Sequence, residues 1–180
     1  MKRNFESIEH NDVFPSETCL RRHLTLKYCD GNGVDIGSGG CPITSWAIQI
    51  ENHHNYHCKD SKIANNINYF GDAIDIPFKN ETLDFVYSSH VLEDFLDWKP
   101  ILDEWNRVLK SGGYIIIMVP DHIIFRQRVA NGDNTDNPSH KHESYAGELT
   151  EFYKKNYTNF SIVCDYVTDS YNILFVAKKL

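Results

Sequence analysis

The stretch Gly33-Val34-Asp35-Ile36-Gly37-Ser38-Gly39-Gly40-Cys41-Pro42 decides the reading of this chain. A short apolar run, Gly33–Ile36, reads as a strand, and it empties into a glycine-dense turn. Glycines at the carboxyl end of a first strand let a ligand approach the backbone closely. The dinucleotide fingerprint G-x-G-x-x-G is not completed, because Pro42 holds its last place. That departure counts against a nicotinamide-dependent oxidoreductase.

Outward from this turn, strand and helix signals alternate. Strand candidates follow at Ala47–Ile50, Ile67–Phe70 and Leu83–Tyr87. Tyr114–Val119 is a continuous apolar run, as expected of a strand buried on both faces. Before it, Ile101, Leu102, Trp105, Val108 and Leu109 share one face at helical spacing. Pro100 suits the first turn of that helix, and Ser111-Gly112-Gly113 is expected to end it. Helices are also expected over Glu17–Tyr28 and around Ala146–Lys155. Such alternation predicts a parallel sheet covered by helices. Ser161–Val167 and Asn172–Ala177 are separated by only four residues, too few for a parallel crossover, so they are expected to close the sheet as an antiparallel hairpin.

Acids follow the strands at informative places. Glu51 follows the second strand, where a carboxylate can accept from both hydroxyls of a ribose. Asp72 follows the third, in Gly71-Asp72-Ala73, where it can accept from an adenine amino group. A glycine turn, an acid and another acid thus stand at three successive strand ends, the place where open α/β sheets bind ligands.

With these motifs the chain resembles class I S-adenosylmethionine (SAM)-dependent methyltransferases. The resemblance runs from about Gly33 to Pro120, through "GDAIDIPFKNETLDFVYSSHVLEDF" and "ILDEWNRVLKSGGYIIIMVP". It implies a three-layer, Rossmann-like α/β fold, mostly parallel, with the C-terminal antiparallel hairpin. It implies SAM as cofactor, with Asp35, Gly37, Ser38 and Gly39 along the methionine part, Glu51 on the ribose, and Asp72 with the Ala73 backbone at adenine. Ile50 and Ile74 would supply apolar faces, and Ser88, Ser89 and His90 would lie near the sulfonium. The sequence departs from the family in two respects. Cys41 replaces the third loop glycine, and the crossover Gly37–Trp46 is so short that its helix is expected to be stunted.

The chain's 180 residues suit one domain spanning 1–180, with residues 1–15 read as a flexible arm. A formal net charge of −7 disfavours coating a nucleic acid. No apolar run is long enough to span a bilayer, and the start has no signal-peptide pattern, so a cytoplasmic protein is expected. Five cysteines without a CxxC pair read as reduced thiols. His53, His54, His57 and Cys58 have i, i+4 spacing but no second ligand group, so no metal site is expected.

Methyl transfer chiefly needs the acceptor held in line with the methyl. A hydroxyl or amine acceptor also needs a base, and His is the commonest. The candidates are His90, after the fourth strand, and His140 and His142, in the region that shapes the acceptor pocket in the resembled family. These two are preferred to His122. Asp94–Asp97 and neighbouring acids read as a solvated face, and Trp46, Trp98 and Trp105 as packing. The expected acceptor is a small molecule or saccharide. The rival reading is a non-catalytic module that binds SAM or a partner.

Overall fold

The computed structural model describes residues 16–39, 41–52, 67–168 and 170–180. The expected arm at 1–15 and the His53–Cys58 cluster lie outside the described residues.

Seven strands form one sheet: β1 (Gly33–Ile36), β2 (Ile48–Glu51), β3 (Tyr69–Phe70), β4 (Leu83–Ser89), β5 (Leu109–Pro120), β6 (Phe160–Val167) and β7 (Asn172–Lys179). Their spatial order is β3-β2-β1-β4-β5-β7-β6. Strands β1 to β5 are parallel, and β7 runs antiparallel to both β5 and β6. The order reverses between β1 and β4, so a crevice opens at their carboxyl ends.

Alternation along the strands separates two apolar layers. Val34, Ile36, Val86, Ile115, Ile117 and Phe175 meet helix α2 (Lys99–Val108) through Ile101, Leu102 and Trp105, and helix α4 (Glu148–Asn156) through Leu149 and Tyr153. Phe85, Tyr87, Ile116, Met118 and Val176 face the opposite way, onto Ile43, Ala47 and Leu24 of helix α1 (Glu17–Thr25).

Two local expectations are corrected and one helix is added. Helix α2 stops at Val108, where Leu109 turns extended (ψ 132) and joins the β4 ladder opposite Leu83, so Ser111-Gly112-Gly113 lies within β5 rather than at the helix end. The first crossover carries no helix at all among the described residues between Ile36 and Ile48; turns held by Cys41 N–H to Ser38 O and Ala47 N–H to Thr44 Oγ1 replace it. A helix α3 (His122–Ala130) follows β5, capped by Asp121, whose carboxylate accepts from Ile124 N–H at 3.1 Å.

Candidate active site

The crevice holds a cleft of about 860 Å³, a size that suits a small-molecule site. Its walls come from the glycine turn, the ends of β2 and β3, the segment after β4, the first turn of α1 and the loop before α4.

Gly37 and Gly39 both adopt positive φ, +75° and +55°. A Cβ on Gly37 would lie 2.1 Å from Val91 Cγ2, so this position accepts no side chain. Gly37 N–H donates to Ile50 O, and Gly71 N–H to Glu51 O, which pins the loop and the β3 turn to the end of β2. Ser38 lines the cleft with its hydroxyl donating to Gln49 Oε1 at 3.0 Å.

Glu51 is only 3% exposed. Its Oε2 accepts from Gly39 N–H and its Oε1 from Asn52 N–H, each at 3.0 Å. Buried carboxylates normally need such donors. Beyond it, Ile50, Gly71, Asp72 and Ala73 continue the wall, with exposed Asp72 turned onto Ile74 N–H. Trp105 Nε1–H donates to Ala73 O at 3.0 Å and ties this wall to α2.

Three predicted contacts are placed elsewhere. Asp35 is 1% exposed and does not line the cleft; its Oδ2 accepts from Ile43 N–H while Oδ1 has no hydrogen-bond partner. Burial pushes its pKa up to about 8, with Glu51 adding to the rise and the Ile43 N–H and Arg22 opposing it. Asp35 therefore braces the short crossover. Ser88 is 1% exposed and donates to Ile36 O at 3.1 Å, stitching β4 to β1, while its neighbour Ser89 lines the cleft. Ile74 is 48% exposed and stands off the lining.

His90 lines the cleft in a left-handed conformation (φ 57°), a strained state for this residue. Its Nε2 sits 2.9 Å from Asn172 Oδ1. Asn172 Nδ2 donates to Glu17 Oε2, so its amide oxygen faces the ring and Nε2 carries the proton. On the other side, Nδ1 lies 3.2 Å from Glu93 Oε1. Burial disfavours the imidazolium, but Glu93, Glu17 and Asn172 together outweigh it and raise the His90 pKa. Both nitrogens thus face polar partners, Nε2 in a hydrogen bond to Asn172 and Nδ1 at ion-pair distance from Glu93.

His140 and His142 do not line the cleft, although Ser139 and Lys141 do. The His140 ring lies 4.9 Å from Phe125, with Nε2 3.7 Å from Glu93 Oε1. Burial lowers its pKa, aided by His90 and against the pull of Glu93. His142 packs 4.1 Å from the Trp98 ring and pairs with Glu148 at 2.7 Å. It holds the loop to α4.

Of the acids after β4, Asp97 is exposed as expected, but Glu93 and Asp94 are not part of a solvated face. Glu93 is fully buried, and its backbone carbonyl accepts from both Lys141 N–H and His142 N–H. Asp94 lines the cleft, and its Oδ1 is shut off from water with no hydrogen-bond partner. Burial, then the neighbouring Glu93, lifts its pKa to about 6. At the start of α1, Ser16, Glu17 and Thr18 complete the wall.

Residues 34–117 match the family model described as a methyltransferase domain. The matched stretch carries a methyltransferase-domain sequence on the class I fold. Curated relatives include a probable S-adenosylmethionine-dependent methyltransferase of Mycolicibacterium smegmatis, 32% identical over 81 residues, 45% of this chain and 30% of that one. A demethylmenaquinone methyltransferase of Geobacillus sp. is 35% identical over 152 residues, 68% of this chain and 65% of its own. The chain thus spans less than two thirds of these relatives' length. A SAM-dependent methyltransferase from Thermotoga maritima superposes with a TM-score of 0.65 at 20% identity, covering 89% of each chain, and shows the shared fold. The methyltransferase-domain match implies SAM as cofactor. Among the described residues no helix is long and apolar enough to cross a membrane, and no cluster of ligands could hold a metal ion.

Proposed function

We propose that the chain is a SAM-dependent methyltransferase acting on a small polar molecule. The observation that carries the proposal is Glu51: a buried carboxylate in the cleft wall, between an open glycine turn and an acid-flanked, partly apolar wall. Its site matches the demands of a nucleoside. Glu51 would hold the ribose hydroxyls, Asp72 and the Ala73 backbone the adenine, and Gly37, Ser38 and Gly39 the methionine part. Ile50 and Ala73 provide apolar contact. SAM, when bound, supplies an electrophilic methyl group on a sulfonium.

The chain's own residues do the rest. Val91 presses on Gly37 and fixes the segment 89–95 against the glycine turn. His90, held by Asn172 and lying beside Glu93, stands fixed in the wall. Ser16, Glu17, Asn137, Ser139 and Lys141 make the remainder of the cleft polar, which supports a hydroxylated or nitrogenous acceptor of small-molecule or saccharide type over a long apolar one.

Calorimetry with SAM and with S-adenosylhomocysteine (SAH) tests the reading. Glu51→Ala removes charged acceptors for two hydroxyls, each worth roughly 1.5–3 kcal/mol, so SAM affinity should fall at least about 100-fold. Unchanged affinity rejects the assignment. One second reading, a partner-binding module that keeps the fold, draws on the first crossover, where the described residues between Ile36 and Ile48 form no helix whose N-terminus could receive the methionine carboxylate. A folded protein with no measurable SAM affinity would support it.

A further inference from the structure

Resting on the SAM reading above, we infer that Asp94 is the residue that takes the proton from the acceptor, and that the acceptor presents a hydroxyl or amine. The segment Ser89–Phe95 runs from the glycine turn along the cleft, and Ser89, His90, Val91, Asp94 and Phe95 of it face the cavity. Asp94 therefore joins the nucleotide half to the polar half.

The other polar groups of the wall are committed. His90 has Nε2 in a hydrogen bond to Asn172 and Nδ1 at ion-pair distance from Glu93. Glu17 accepts from Asn172 at 2.7 Å. Lys141 is a cation, and Glu51 and Asp72 belong to the nucleotide half. Asp94 alone among the described lining acids has a buried oxygen without a donor. The charged groups that face it are Glu93 and His90 of its own segment and Lys141 of the returning loop. Lys141 and His90 draw the carboxylate toward ionisation, while burial and Glu93 oppose it. The balance leaves Asp94 ionised at neutral pH yet about 100-fold more basic than an ordinary aspartate, the range in which a general base works best.

The chemistry closes without a further reactant. The acceptor's oxygen or nitrogen forms the bond to the methyl carbon, the sulfur–methyl bond breaks with its electron pair left on sulfur, and the acceptor's proton passes to the Asp94 carboxylate. This assigns the base to a residue within the wall rather than to His140, which does not line the cleft.

The test compares wild type, Asp94→Asn and Asp94→Glu, each checked for an unchanged melting transition. Calorimetry from pH 5 to 8 gives the ratio of SAH to SAM dissociation constants. An ionised carboxylate near the reacting centre favours the cationic ligand, so the wild-type ratio should rise about three- to tenfold as pH passes 6; Asp94→Asn should abolish the rise and Asp94→Glu restore it. SAH release is then measured with a panel of catechols, sugars and biogenic amines. For any substrate found, Asp94→Asn should lower kcat by about 100-fold or more and remove the acidic limb near pH 6. A pH-dependent ratio that survives in Asp94→Asn, or turnover that this variant leaves intact, overturns the inference while the SAM reading stands. Failure of the wild type to bind SAM at all overturns that reading instead. Should no panel member react, the ratio alone decides.

Discussion

Replacing Asp35 with Asn should change how stability depends on pH far more than it changes the fold. Asp35 is enclosed beside β1, one oxygen on Ile43 N–H and the other without a donor, and its pKa rises to about 8. In the unfolded chain it titrates near 3.8. Between these values the folded state carries a proton that the unfolded state has shed. The native-state advantage is therefore complete below the unfolded value and is lost progressively as pH rises toward 8. Each pH unit in that window costs about 1.4 kcal/mol, or nearly 3 kcal/mol between pH 5 and 7. Asn keeps the carbonyl that accepts from Ile43 and cannot ionise. Urea unfolding of both proteins at pH 5, 6 and 7 should show Asp35→Asn gaining on wild type by roughly that amount. A stability difference that stays flat across this range would refute the reasoning, since it would mean that Asp35 folds with its charge on.

Glu93→Gln removes the counter-ion of His90, so the imidazole pKa, followed by NMR, should fall; an unmoved titration would remove Glu93 from the pair. Gly37→Ala drives a Cβ to 2.1 Å from Val91 Cγ2 at a φ of +75°, and should cost SAM affinity strongly, whereas Gly39→Ala meets nothing within 4 Å and should cost only about 1 kcal/mol of backbone strain in stability. Adding Val91→Ala to Gly37→Ala should recover part of the loss; no recovery would place the damage in the backbone alone. Trp105→Ala empties a fully buried position and orphans Ala73 O, so denaturant unfolding should report a loss of about 3–5 kcal/mol.

Much of the sheet was legible because its signals are local. The apolar run of β5, the glycines after β1 and the four-residue link between β6 and β7 each carry their meaning within a few residues. Glu51, Asp72 and the glycine turn could be placed together because a parallel sheet brings successive strand ends into one crevice. Helix α3 escaped because its apolar residues do not share a side: Phe125 is buried and Ile123 is 54% exposed. The Asp121 cap was the available signal. Asp35 was misread because the sequence does not say which side of β1 faces the ligand, and it points into the layer of Cys29 and Tyr87, whose pKa values it helps to raise. Glu93 and Asp94 looked solvated because their cover arrives late in the chain, when the loop carrying Lys141 and His142 hydrogen-bonds back onto Glu93.

The most direct measurement is a crystal structure of the protein grown with SAH. The ribose hydroxyls should lie within hydrogen-bond distance of the Glu51 carboxylate, adenine against Ala73 and Asp72, and homocysteine along Gly37–Gly39, with its sulfur facing the wall that holds Asp94. Nucleoside density seated in any other part of the molecule, with Glu51 still turned onto Gly39 and contacting no ligand, would contradict the account.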